Sequence, residues 1–255
     1  MENITTKKND IKNSVRKYRE LINVHVKELQ KDEMRNQKKI LELCHIGKLL
    51  LNIESDSSIE RVCEIPDFFI NVSGKTVGVE HQIIIDSKEK SYEGFYQNIF
   101  QHAENELKKD VTTPNFLANC RLHDNLNFKL KQKKELIALT IELIKGYWKT
   151  KKLQENQLIE RISMMPHSEI NLYPNFGAWW QKELSSEILQ NAINKKEKLL
   201  TQYRKTEYEI WLLLVIGGTN ASSYEVNDQE EYTINTNFDK VFLLEDHKNQ
   251  LYQLK

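Results

Sequence analysis

Apolar residues recur near the start of the chain at Ile11, Val15, Tyr18, Ile22, Val26 and Leu29, in steps of four, three, four, four and three. That is one stripe of a helix over about 8–30, with charged residues on its other sides. The stripe is as narrow as a coiled-coil seam, so the segment is expected either to pair with a second chain or to lie along the body. A second helix over about 36–52 is more apolar (Ile40, Leu41, Cys44, Leu49, Leu50) and reads as a core helix that also carries Glu42. The polar stretch 52–61, NIESDSSIER, reads as a helix-breaking turn.

The periodicity then changes. Phe68–Val72 and Thr76–Ile85 read as strands around a turn at Ser73-Gly74-Lys75, where glycine takes positive φ without strain. Ile83-Ile84-Ile85 predicts a strand end buried on both faces. Tyr92–Lys109 is amphipathic through Phe95, Ile99, Ala103 and Leu107, Phe116–Leu122 is a strand, and Lys133–Trp148 is an apolar helix. Residues 158–180 read as β structure with turns at Pro166 and Pro174. Ser185–Lys205 reads as one long helix with a serine N-cap. Tyr208–Ile216 is a buried strand stopped by Gly217-Gly218. Val241–Leu244 and Leu251–Leu254 form a last pair of strands after an acidic, Asn-rich loop over about 219–237. Alternation of strands and helices defines an α/β or α+β chain. The division expected is a charged helical extension over 1–35 and a single domain over 36–255.

Composition narrows the function. The 255 residues carry 37 Lys plus Arg and 37 Asp plus Glu, a net charge of zero that argues against a strongly basic nucleic-acid coat or a polybasic membrane binder. By successive fifties the charge runs +5, −5, +3 and +1, with −4 over 201–255, so an acidic block lies between basic ones. Such an order suits carboxylates around a metal with cations around them for a phosphate substrate; it also arises by fluctuation along any chain. The apolar run 211–216 is far too short for a membrane span, and the first twenty residues hold no apolar signal core, so no membrane association and a cytoplasmic location are expected. Cys44, Cys63 and Cys120 have no zinc-ligand spacing and read as reduced thiols. No phosphate-loop, dinucleotide-loop or nucleophile-elbow motif is present.

The chemistry concentrates in Pro66-Asp67-Phe68-Phe69-Ile70 and Gly78-Val79-Glu80-His81-Gln82. A tight hairpin brings Asp67 near Glu80, and Glu80 shares a strand face with Gln82 while His81 points the other way. Two carboxylates plus the His81 backbone carbonyl are the hard oxygens that Mg²⁺ (or Mn²⁺) prefers. Here the sequence resembles the PD-(D/E)xK nuclease superfamily, with Glu-x-Gln in place of Glu-x-Lys and with residues 36–125 as the similar core. The resemblance implies a restriction-endonuclease-like mixed β-sheet flanked by helices, with Asp67 and Glu80 as metal ligands. It implies Mg²⁺-dependent hydrolysis of DNA, or RNA, phosphodiesters in a defence or DNA-processing role. Gln82 stands where the family has its lysine. It can hydrogen-bond a water but brings no charge to the transition state.

Lys196 offers a replacement. It falls within the apolar stripe Leu189, Ala192, Ile193, Leu199, Leu200, Tyr203, so its ammonium is expected either to reach the sheet or to snorkel past the core to water. Glu42 and Glu64 compete as a further acid. The bland readings stay open beside these: Asp67 as a turn cap, Glu80 and Gln82 on a solvated sheet face, and a nuclease-like fold that only binds DNA or protein. The N-terminal helix is then a handle for a second copy or a partner. Trp179-Trp180 reads as a core or interface pair rather than a base-stacking platform. Lys129, Lys131, Lys133 and Lys134 read as a solvated face. The histidines 25, 45, 102, 123, 167 and 247 have no partner visible in the sequence.

Overall fold

The computed structural model describes residues 4–53, 56–124, 126–177 and 180–255, and the side chains of 4–11, 33, 34 and 206 fall outside the description. In chain order the elements are α1 (Ile4–Leu29), α2 (Glu33–Asn52), β1 (Ser57–Val62), β2 (Phe68–Val72), β3 (Lys75–Ile83), α3 (Ser87–Lys109), β4 (Phe116–Leu122), α4 (Lys133–Thr150), β5 (Ile159–Pro166), β6 (Asn171–Asn175), β7 (Lys182–Glu183), α5 (Ser186–Glu197), α6 (Leu200–Tyr203), β8 (Glu209–Ile216), β9 (Tyr224–Glu225), β10 (Lys240–Glu245) and β11 (Gln250–Gln253). The chain is mixed α/β. Its contacts divide it into one unit of residues 1–85 with 181–255 and a second unit of residues 86–180. Residues 36–125 therefore span parts of both.

The first unit holds a six-stranded mixed sheet in the order β1-β2-β3-β8-β10-β11, flanked by helices. β1, β2 and β3 are antiparallel neighbours, β3, β8 and β10 are parallel, and β11 returns antiparallel. The apolar run of β8 is explained by its central place. Trp211, Leu213 and Val215 face the cluster containing Leu43, Ile46, Leu49 and Leu50 of α2. Ile210, Leu212, Leu214 and Ile216 face Leu189, Ala192 and Ile193 of α5 and Leu200 and Tyr203 of α6. A parallel strand covered on both faces has no polar side to show.

α1 lies along the body: Ile22 is buried, and Tyr18, Leu21, Val26 and Leu29 pack on the α2-side core. Ile11 is among the side chains outside the description. In the second unit, α3 and α4 cover one face of the three-stranded sheet β5-β4-β6, in which Phe116, Ala118, Cys120 and Leu122 of β4 alternate inward. The Asp86 carboxylate starts α3 by accepting from the Lys88 and Glu89 backbone N–H groups.

Several sequence expectations need correction. The polar stretch 52–61 does not end in a mere turn: it contains β1, an edge strand whose polar residues face solvent. Ile83 and Ile85 are 36% and 43% exposed, so that strand end is not buried on both faces. Pro174 lies within β6, where the edge position tolerates a residue without an N–H. The helix after the Ser185 cap stops at Glu197 and resumes only as short α6. Trp180 is 95% exposed, which places it outside any core of the chain, and Trp179 lies outside the described residues. Among the described residues no helix is long and apolar enough to cross a membrane.

Gly78 in β3 marks a close approach. A Cβ there would stand 2.7 Å from Ile210 Cδ1 and 2.9 Å from Pro66 Cγ. Gly78→Ala is therefore expected to lower the unfolding free energy by about 1–3 kcal/mol through overpacking. Denaturant titration of the variant beside the parent checks it, and an unchanged midpoint would contradict the crowding.

Candidate active site

β2 and β3 form the hairpin, in register from Phe68↔Val79 to Val72↔Lys75, turning through Ser73 and Gly74 at positive φ. Asp67 stands just before β2, and Glu80 lies one residue beyond its last pairing. Their contact is direct: the Asp67 backbone N–H donates to Glu80 Oε2 at 3.3 Å, and the His81 N–H donates to Asp67 Oδ2 at 3.0 Å. The solvated-face reading fails for Glu80, which is 3% exposed.

Each carboxylate meets a lysine from a different helix. From α5, the Lys196 ammonium ion-pairs with Glu80 Oε1, so Lys196 reaches the sheet rather than snorkelling past it. Tyr203 of α6 hydrogen-bonds the same carboxylate. From α2, the Lys39 ammonium donates to Asp67 Oδ1 at 2.8 Å and to the Cys63 carbonyl at 3.2 Å, and lies 2.9 Å from Glu42 Oε2. Glu42 is buried in this cluster, whereas Glu64 is exposed at the rim of a cavity of about 570 Å³ lined also by Arg35, Lys38, Lys39, Glu42 and Asp67. The register of β3 against β8 is unbroken from Val77 to Ile83, so Gln82 lies on the Glu80 face. Among the described residues its half-buried amide has no hydrogen-bond partner.

The two acids have opposite electrostatics. Burial pushes the Asp67 carboxyl upward, but the Lys39 hydrogen bond, the His81 N–H and the charges of Lys39 and Lys196 outweigh it and hold the group below the usual carboxylate range. Glu80 is raised, first by burial and then by the Asp67 charge, against the pull of Lys196 and Tyr203. One acid is thus firmly ionised, and the other carries the repulsion between them.

The His81 imidazole turns to the α2 face. There its Nε2 lies 2.9 Å from His45 Nδ1, the two rings stacked at 5.0 Å. Asp246 Oδ1 lies 3.5 Å from His45 Nε2 and accepts from Lys48 at 2.7 Å. A carboxylate only accepts, so the nearer one, Asp246, favours the tautomer with the proton on His45 Nε2, with His81 donating to His45, while Glu42 Oε1 stands farther off at 4.0 Å from His81 Nδ1. Burial, then the neighbouring histidine, lowers His81 to about 3.

The sequence reading missed Lys39, His45 and Tyr203. A signal existed for the first two: Lys39, Glu42 and His45 recur every three residues along α2, which puts them on one side of the helix. Tyr203 was hidden because its ring belongs to the core and only its hydroxyl reaches Glu80. The basic run at 129–134 begins α4 in the second unit, with Lys129, Lys131 and Lys134 exposed.

Among the described residues no three His, Cys, Asp or Glu side chains are grouped to hold a metal ion by themselves. Two adjacent carboxylates, one raised by burial and by the other's charge, still fit Mg²⁺, which is commonly held by one or two carboxylates with waters and substrate phosphate. Comparison of the chain with protein-family models, curated proteins and solved structures finds no match.

Proposed function

We propose that the unit of residues 1–85 and 181–255 is a metal-dependent nuclease of the PD-(D/E)xK type that hydrolyses DNA phosphodiester bonds. The observation that carries the reading is the Lys196 ammonium on Glu80 beside Asp67. It supplies, from α5, the positive charge that Gln82 does not bring. The Pro66-Asp67 pair at the head of β2, the antiparallel turn into β3 and the α2 helix on the sheet support the same reading.

Asp67 and Glu80, with the His81 backbone carbonyl, would hold Mg²⁺ or Mn²⁺. When bound, such an ion supplies Lewis-acid polarisation and an acidified water. Gln82, with its amide free on the Glu80 face, orients a water by hydrogen bonding. Lys196 offers its charge to a developing phosphate anion, while Tyr203 holds Glu80 in its rotamer. Lys39 keeps Asp67 ionised. Arg35 and Lys38, around the cavity that reaches Asp67, give the substrate backbone its cationic contacts. The zero net charge thus reads as buried acids offset by local cations.

The test is cleavage of plasmid and of single- and double-stranded oligonucleotides, DNA and RNA, with Mg²⁺ or Mn²⁺. Cleavage is expected from the parent and not from Asp67→Asn or Glu80→Gln. Equal activity in all three preparations would mark a contaminant. Salt-dependent DNA binding with neither cleavage nor metal binding would favour a binding module on the same fold.

A further inference from the structure

The Lys39 ammonium sits in a nest of three oxygens: Asp67 Oδ1 at 2.8 Å, Glu42 Oε2 at 2.9 Å and the Cys63 carbonyl at 3.2 Å. An ammonium has three N–H groups, so the count matches. The fit is incomplete, however. The Glu42 contact is an ion pair without an aligned hydrogen bond, and Glu42 Oε2 is buried with no hydrogen-bond partner. A spherical cation has no such directional requirement. Charge points the same way, since two carboxylates face one ammonium; the nearest further cation is exposed Lys38, 3.4 Å from Glu42 Oε1. The cavity of about 570 Å³ that Lys39, Glu42 and Asp67 line gives small ions a way in.

We propose that Lys39 is the tethered cation of a second cation position, and that its ammonium confines divalent binding to the Glu80 side. The inference rests on the nuclease reading for the ion at Glu80, but the nest itself is defined by Lys39, Glu42, Cys63 and Asp67. Where two-metal phosphodiesterases place a second ion near the first, this chain has a side chain. Its charge is permanent at neutral pH and needs no dissolved metal. Lys39 is then a positioning residue, holding Asp67 in place with a fixed charge.

The experiment counts Mn²⁺ on the full chain by calorimetry and by loss of the free-ion paramagnetic resonance signal. The parent is expected to bind one ion. Lys39→Ala is expected to bind two, with the gained ion lost again in Lys39→Ala/Glu42→Gln. If Lys39→Ala does not fold, Lys39→Gln carries the same test, because it removes the charge and keeps a donor. A parent that binds two ions, or Lys39 variants whose stoichiometry equals the parent's, would overturn the proposal. The nuclease reading fails separately: a parent that binds no Mn²⁺, or binds it unchanged after Glu80→Gln, removes the ion at Glu80. A site gained in the Lys39 variants, and lost with Glu42→Gln, would still support the nest.

Discussion

If the acid pair is the nuclease site proposed, Lys196→Met is expected to slow Mg²⁺-dependent cleavage by about 10²- to 10³-fold, the usual cost of removing one preorganised group that stabilises transition-state charge. Methionine keeps most of the length and apolar stem of lysine and removes only the ammonium. Lys196→Arg, which restores the charge, is expected to recover part of the rate. A merely structural lysine would not give that split. A second signature follows from the acid pair. Glu80 is already raised by burial and by the Asp67 charge, with Lys196 pulling the other way. Without the ammonium it rises further and needs a higher pH to ionise, so the acid limb of the pH–rate profile moves up. Single-turnover rates across pH for the three proteins check both points. A Lys196→Met variant with the parental rate and profile would remove Lys196 from the proposed mechanism.

Acidification from neutral pH to about pH 5 is expected to cost roughly 2 kcal/mol of folding stability through His81 alone. In the unfolded chain this imidazole takes its proton near 6.5, and in the fold only near 3. Between those values the unfolded state binds more protons, so stability is full above the unfolded value and is lost as pH falls. His45 is also lowered, chiefly by burial, and adds to the loss with the same sign. Glu80 acts oppositely, because its raised carboxyl makes the folded state bind protons more readily in acid. Asp67, held low, begins to cost stability only as pH falls below its unfolded value of 3.8. In the window just below 6.5 the histidines lower stability, and Glu80 offsets part of that loss. Denaturant unfolding at pH 7 and at pH 5 measures the difference. His45→Leu/His81→Leu, which removes both partners of the hydrogen bond, should flatten it. An equally steep loss in the double variant would assign the effect elsewhere.

Local pattern made much of this legible. The apolar run of β8, the Gly74 turn and the serine cap of α5 are local signals, and the strand, the turn and the helix start stand where the pattern puts them. Asp67 and Glu80 were readable as neighbours because a two-strand hairpin fixes their register. Lys196 was readable because a charge inside an apolar stripe must go somewhere. β1 was not: its Ser57-Ser58 and Glu60-Arg61 are turn-like in composition and form a strand because β2 offers an edge. The stop after Glu197 has no local breaker. At that point the Glu197 carboxylate accepts from Thr236 and Asn237, some forty residues on, a contact that no local pattern shows. Lys39 and His45 acquire meaning only when Asp67 and His81 are brought to them by the sheet.

The insertion of residues 86–180 between β3 and α5 also sets an order of events in time. β3 is synthesised well before its parallel neighbour β8, with the whole second unit between them. At about 5–20 residues per second, that delay is on the order of ten seconds. Throughout it the edge of β3 that will receive β8 stands unpaired, an open template for any other strand nearby. The acids are made first and their lysine from α5 late. A chain interrupted before residue 196 holds Asp67 with its Lys39 partner but carries Glu80 without the ammonium that pairs with it. The site is complete only once α5 and α6 have been made, which separates the synthesis of the acid pair from anything it can do.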